Sequence, residues 1–167
     1  FIYRTNNRDG YFSLYLCEAA TGKVLKRLTD VNADVEMVGQ DDKFVYYTSA
    51  EVSPVDNHLF RVEVKSGKKT RLTQAEGWHK VTMSGDMKYF VDNYSSLKVP
   101  RVILLVQNDG KKVKELLKAE DPTKDYNFGE ITLGTVKSAD GKFNNYYRLI
   151  KPMNFDASRK YPVIVYV

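Results

Sequence analysis

The stretch Leu59-Phe60-Arg61-Val62-Glu63-Val64-Lys65-Ser66-Gly67 decides the fold. Apolar and charged residues alternate along it, so Phe60, Val62 and Val64 face one side of a strand and Arg61, Glu63 and Lys65 the other. The run stops at a Ser-Gly turn, and a second run then closes at Leu72. The same unit precedes it as Leu14-Tyr15-Leu16-Cys17-Glu18-Ala19-Ala20-Thr21-Gly22 and follows it as Val102-Ile103-Leu104-Leu105-Val106-Gln107-Asn108-Asp109-Gly110. Tyr15, Cys17 and Ala19 take the places of Phe60, Val62 and Val64 in the first copy, and Ile103, Leu105 and Gln107 in the third. Leu28, Leu72 and Leu116, which close the three units, recur every 44 residues. A repeat in the low forties with several short strands per period is the mark of propeller blades.

Further strands flank each copy. Phe1 to Thr5, Phe44 to Thr48 and Tyr89 to Asn93 precede the three stretches, the first followed by a turn through Asn6, Asn7, Asp9 and Gly10. Shorter inner strands are expected near 33–38 and 78–83. The reading is a partial blade over 1–29 and full four-stranded blades over 31–73 and 76–117, together a propeller region spanning 1–118. Residues 119–128 are polar, with Asp121-Pro122 marking a turn, and read as a linker. Strands at 130–137 and 145–151 then flank Ser138-Ala139-Asp140-Gly141-Lys142, a hairpin turn in which Gly141 supplies a positive φ. The run Tyr161-Pro162-Val163-Ile164-Val165-Tyr166-Val167 does not alternate. Such a run suits a central strand covered on both faces, so 129–167 is expected to open a second, α/β domain. Phe1 falls inside a strand and Val167 inside an apolar run, so both ends read as cut and the chain as a piece of a larger protein. Open blade faces and edges would then make self-association possible.

Composition narrows the function classes. Twenty-six basic residues stand against 21 acidic ones. The densest basic run, Lys111, Lys112, Lys114 and Lys118, has no aromatic stripe beside it, so a solvated outer strand is expected and not a nucleic-acid site. The single cysteine, Cys17, allows no internal disulfide and sits at a core position of the repeat. No stretch is apolar enough for a membrane-spanning helix.

The chemistry-bearing residues do not assemble into a site on paper. No Gly-x-Ser-x-Gly elbow occurs, and Ser84 before Gly85 reads as a turn residue. His58 and His79 lie in different blade positions and are expected to be strand-end polar residues. Two separated histidines and one cysteine give no metal-ligand spacing. Gly67-Lys68-Lys69-Thr70 lacks the first glycine of a phosphate loop. Asp41-Asp42 and Glu120-Asp121 fall in turns, and Asn93-Tyr94-Ser95 is a bare glycosylation triplet. No catalytic, cofactor-binding or metal residue is therefore named, and no cofactor is expected.

Taken in order, several stretches resemble a known family. Arg8-Asp9-Gly10-Tyr11, Leu14-Tyr15, Leu28-Thr29, Leu72-Thr73 and Val99-Pro100-Arg101 are similar to the last propeller blades of the dipeptidyl peptidase IV branch of the prolyl oligopeptidase family. Lys160-Tyr161-Pro162-Val163-Ile164-Val165-Tyr166-Val167 resembles the first central strand of that family's hydrolase domain. The resemblance implies an all-β piece: blades of an incomplete β-propeller, then a hairpin and the first strand of a truncated α/β-hydrolase domain. It implies a parent serine exopeptidase that releases Xaa-Pro or Xaa-Ala dipeptides from peptides with a Ser-Asp-His triad. Relatives are commonly periplasmic, extracellular or surface-associated. In bacterial members the strand continues as Tyr-Gly-Gly-Pro, and none of the family's functional residues falls on a position of this chain. This chain alone is thus expected to be inactive scaffold. The competing expectations are a non-catalytic propeller that binds a protein or peptide, and an acylaminoacyl or oligopeptidase specificity.

Overall fold

A computed structural model describes residues 2–8 and 10–167, with backbone alone for residues 2–6. Phe1 and Asp9, expected in the first strand and its turn, lie outside the described residues. The described chain contains strands and turns and no helix. It divides into two units, one ending at Glu120 and one running from Asp121 to Val167.

The first unit consists of three antiparallel sheets laid down in chain order. β1 (Ile2–Asn6), β2 (Ser13–Cys17) and β3 (Val24–Arg27) form the first. β4 (Val35–Gln40), β5 (Phe44–Ser49), β6 (His58–Glu63) and β7 (Lys69–Arg71) form the second, each strand beside its sequence neighbour. β8 (Trp78–Met83), β9 (Tyr89–Ser95), β10 (Val102–Gln107) and β11 (Lys112–Lys118) repeat that order in the third. Four-stranded up-and-down sheets of this kind are consistent with propeller blades.

The second sheet is buried on both faces because its neighbours cover it. Val45, Tyr47, Phe60 and Val62 meet Leu14 and Leu28 of the first sheet, while Tyr46 and Leu59 on the opposite face meet Phe90 and Val106 of the third. The pleat explains how the adjacent Tyr46 and Tyr47 serve different clusters. Tyr47 stacks on Phe60 with ring centroids 5.4 Å apart. Each such side chain, once buried, contributes about 1.5–3 kcal/mol. Cys17 is fully buried, as expected of a small core residue.

Two expectations for the third sheet need correction. Leu104 and Val106, not Ile103 and Leu105, pack with Phe90 against the second sheet. The hairpin turns give the cause. The first two close with Glu18 N–H to Lys23 O and Glu63 N–H to Lys68 O, but the third closes one residue sooner, with Gln107 N–H to Lys111 O. A one-residue slip turns every side chain of a strand to the other face. Leu116 also departs from the repeat. It lies at a bulge between the pairs Leu104–Glu115 and Ile103–Leu117 and is exposed, whereas Leu28 and Leu72 are buried.

The second unit holds one hairpin, β12 (Ile131–Lys137) paired with β13 (Asn144–Ile150). Gly141 has φ of 72° in its turn, as the sequence requires. The expected central strand over Tyr161–Val167 is not present. The run pairs with no described strand, and Val163 to Val167 are all strongly exposed. A strand exists only through a neighbour that takes its backbone hydrogen bonds, and apolar composition alone does not supply one. No start of an α/β-hydrolase domain is thus visible in the fold.

Candidate binding groove and a buried histidine pair

The leading strands of the second and third sheets, β4 and β8, face a shared open groove of about 1040 Å³. Trp78 and Phe12 stand about half-exposed on its wall, with Asp34, Glu36 and Lys80 among the charged lining residues. Asp34 is fixed there by accepting the Phe12 N–H at 2.8 Å, and the Val35 N–H returns to Phe12 O at 2.9 Å. Exposed rings beside carboxylates can hold an extended polar chain by stacking and hydrogen bonding. Among the described residues that line the groove, none pairs a nucleophile with a base.

The two histidines lie at strand starts as expected, His58 opening β6 and His79 second in β8, but the fold brings them together. Both are buried, and their rings lie 5.1 Å apart between the second and third sheets. His79 Nδ1 faces both carboxylate oxygens of buried Asp92 at 2.8 and 2.9 Å, and Nε2 faces Ala75 O at 2.8 Å. Tyr94 stacks on the His79 ring at 4.7 Å. Burial raises the Tyr94 phenol above its ordinary range. His58 Nδ1 meets Thr73 Oγ1 at 3.1 Å. Burial, followed by the charges of His79 and Arg71, pushes the His58 imidazole down. The sequence reading missed Asp92, although a signal existed. Asp92 follows Phe90 on the core face of β9, and a carboxylate at a core position of an alternating strand demands a partner.

Other candidates fall where turn and strand chemistry puts them. Ser84 Oγ donates to Asp86 Oδ1 and accepts the Tyr89 N–H, so it is a turn residue. Asp41 caps the β4–β5 turn by accepting the N–H groups of Lys43 and Phe44 and the Tyr46 hydroxyl. Burial works against that carboxylate, but those bonds and Arg61 hold it below its usual range. Burial and Asp41 in turn push the Tyr46 phenol up to about 12. Asn93 lies mid-sheet with its side-chain oxygen accepting from Arg101 Nε, a poor position for a glycosylation acceptor. Lys112, Lys114 and Lys118 stand on the exposed edge strand β11. Among the described residues, no cluster of three or more His, Cys, Asp or Glu could hold a metal. Among the described residues, no helix is long and apolar enough to cross a membrane.

Comparison with known proteins gives this geometry its context. The profile of the dipeptidyl peptidase IV (DPP IV) N-terminal region matches residues 1–101. A crystal structure assigned as a dipeptidyl aminopeptidase IV from Bacteroides ovatus superposes with a TM-score of 0.86 at 35% identity, covering 99% of this chain and 26% of that one. Porphyromonas gingivalis dipeptidyl peptidase 4 superposes with a TM-score of 0.84 at 27% identity, covering 96% of this chain and 23% of that one. A dipeptidyl peptidase 4 assigned in Aspergillus flavus is 25% identical over 168 residues, covering 95% of this chain and 21% of the relative. The chain therefore spans about a fifth to a quarter of the length of these proteins.

Proposed function

The chain belongs to the family of the dipeptidyl peptidase IV N-terminal region, and on that premise we propose that it is part of a serine exopeptidase releasing N-terminal Xaa-Pro or Xaa-Ala dipeptides. The observation that carries the reading is the stack of like-ordered sheets, matched in fold by two dipeptidyl peptidases. In this reading residues 1–118 are successive propeller blades, with the partial blade at 1–29 and full blades at 31–73 and 76–117. Residues 119–128 link them to a hydrolase domain that opens at 129. The non-alternating run Tyr161–Val167 supports that assignment. Such a run is buried only within a sheet covered on both faces, and a catalytic α/β sheet provides one. The role of this chain is then mechanical. Double-sided burial of the second sheet gives a stiff wall, and amine-gripping and acylating groups held on different domains need such stiffness to keep near-attack geometry.

A second reading is favoured by the groove: a non-catalytic propeller that binds a peptide or protein along the exposed Trp78 and Phe12. Unpaired strand edges such as β11 also make self-association a candidate behaviour. Assay of the purified chain with Gly-Pro-p-nitroanilide tests the scaffold role, and no turnover is expected. Turnover that copurifies with the chain through successive columns overturns the scaffold role. Sequencing the gene past the codon for Val167 tests the parent: Tyr-Gly-Gly-Pro and a later Gly-x-Ser-x-Gly are expected, and their absence favours the binding module.

A further inference from the structure

The seam between the second and third sheets is stitched by backbone and then loaded with titratable rings. Asn57 and Trp78 form a parallel bridge, with Asn57 N–H to Gly77 O at 3.1 Å and His79 N–H to Asn57 O at 3.0 Å. The Asn57 side-chain amide donates to His79 O at 2.8 Å, and Asp56 Oδ1 accepts the Gly77 N–H at 2.9 Å. His58 comes directly after Asn57, so the stitch itself brings its ring against His79. Both rings are almost completely buried.

The hydrogen bonds favour a different charge on each ring. Both nitrogens of His79 face acceptors, so a doubly protonated ring satisfies both and has the Asp92 carboxylate as its counter-ion. His58 differs. Thr73 Oγ1 receives the Leu59 N–H at 3.0 Å and lies 3.1 Å from His58 Nδ1, so its own hydrogen has an acceptor there when His58 is neutral with Nδ1 bare. A proton added there would make both partners donors, orphan the buried Thr73 hydroxyl hydrogen and set a second cation against His79. The other charges facing His58 are Arg71 from β7, which adds to the repulsion, and Asp56 and Asp92, which oppose it. Asp92 is already committed to His79. Asp56 is committed to the Gly77 N–H.

We propose that this seam is an acid-sensitive latch, closed while His58 is neutral and loosened by repulsion between His58 and His79 when His58 takes a proton. The first sheet supports this by contrast. There Leu14 N–H donates to Thr29 Oγ1 at 2.9 Å, the same bond as Leu59 to Thr73, but the preceding residue is Ser13. The strand closure therefore does not require a histidine. The direction with pH follows from the lowered His58 affinity. The opened state binds this proton more readily than the closed one, so closure is fully favoured above the ordinary histidine value of 6.5 and weakens as pH falls below it.

Hydrogen exchange on the 167-residue chain, followed by NMR from pH 7.5 to 5 and corrected for intrinsic rates, tests the latch. Protection of the Asn57 and His79 amides should fall below about pH 6.5 by up to about tenfold per pH unit, the limit for one linked proton. The Lys151 amide, which closes the separate hairpin onto Glu130 O, should show no such slope. In His58→Ser, the residue type the first sheet uses, the seam slope should vanish. A flat profile in the unsubstituted chain, or an unchanged slope in His58→Ser, overturns the latch. Ring-nitrogen NMR of the unsubstituted chain decides the matter should His58→Ser not fold. A neutral Nε2–H tautomer persisting below pH 6 is expected, whereas protonation above 6.5 with the seam still protected overturns it.

Discussion

The same turn chemistry appears in both units, with different consequences. Ser84-Gly85-Asp86-Met87-Lys88 and Ser138-Ala139-Asp140-Gly141-Lys142 adopt one bonding scheme. In each the serine hydroxyl donates to the aspartate, and the aspartate accepts the lysine N–H at 3.1 Å. In each, too, the serine oxygen accepts the N–H of the following aromatic residue at 3.0 Å. Yet the first turn joins strands that contribute to a core, while no residue from Asp121 to Val167 is buried. Local chemistry thus makes the hairpin, and neighbouring sheets make the core. A hairpin alone removes too little apolar surface from water to offset its ordering entropy, so stability should concentrate in the three-sheet unit.

The largest effect should come from truncating stacked aromatics. Phe60→Ala removes the ring stacked on Tyr47 inside a closed cluster and should cost about 3–5 kcal/mol. Tyr147→Ala, on the exposed face of β13, should cost less than about 0.5 kcal/mol. Trp78 is the only tryptophan of the chain and belongs to the first unit, so its fluorescence in urea reports Phe60→Ala, while amide exchange in β13 reports Tyr147→Ala. Similar losses from the two substitutions would break the contrast.

Glycine substitutions give the next effect. Gly77 has φ of 132°, and an added Cβ would come 2.4 Å from Ser95 O, a backbone atom that cannot turn aside. Gly77→Ala should cost about 3 kcal/mol. Gly134 looks equally crowded, with Tyr147 ring atoms 2.5 Å from an added Cβ. Its neighbour, however, is a half-exposed side chain free to rotate. Gly134→Ala should cost less than about 1 kcal/mol by the same urea series, with hairpin signals read by NMR. A Gly134→Ala loss as large as that of Gly77→Ala would show that β12 and β13 are held as rigidly as the blades.

Alternation and turn residues made the strands legible, because both are local signals. The strand pair in the hairpin and its positive φ at Gly141 followed from five residues alone. The facing of Leu104 and Val106 did not, since it hangs on one missing turn residue, and matching glycines across the repeats hides that difference. Tyr161–Val167 was legible only in part: composition states what a strand would need, but not whether a partner stands beside it. The His58–His79–Asp92 cluster was the least legible feature. Its members come from three strands, and only the misfit of Asp92 on an otherwise apolar face pointed to it.

The smallest effect concerns the left-handed position that the two turns share. Gly141 occupies it with φ of 72°, at no steric cost. Met87 occupies it with φ of 56°, which costs a side-chain-bearing residue about 1 kcal/mol. What offsets that cost is burial, because Met87 packs against the Tyr46–Phe90–Val106 cluster and its sulfur lies close beside Gly39. Met87→Gly should therefore relieve strain and lose packing in nearly equal measure. A net destabilisation below about 1 kcal/mol is expected in the fluorescence-monitored urea series. Gly141→Met should weaken its hairpin by about 1 kcal/mol, read from amide exchange, because no cluster waits to receive the side chain. If Met87→Gly instead stabilises the first unit by more than about 1 kcal/mol, Met87 contributes no packing, and the two turns differ in name only.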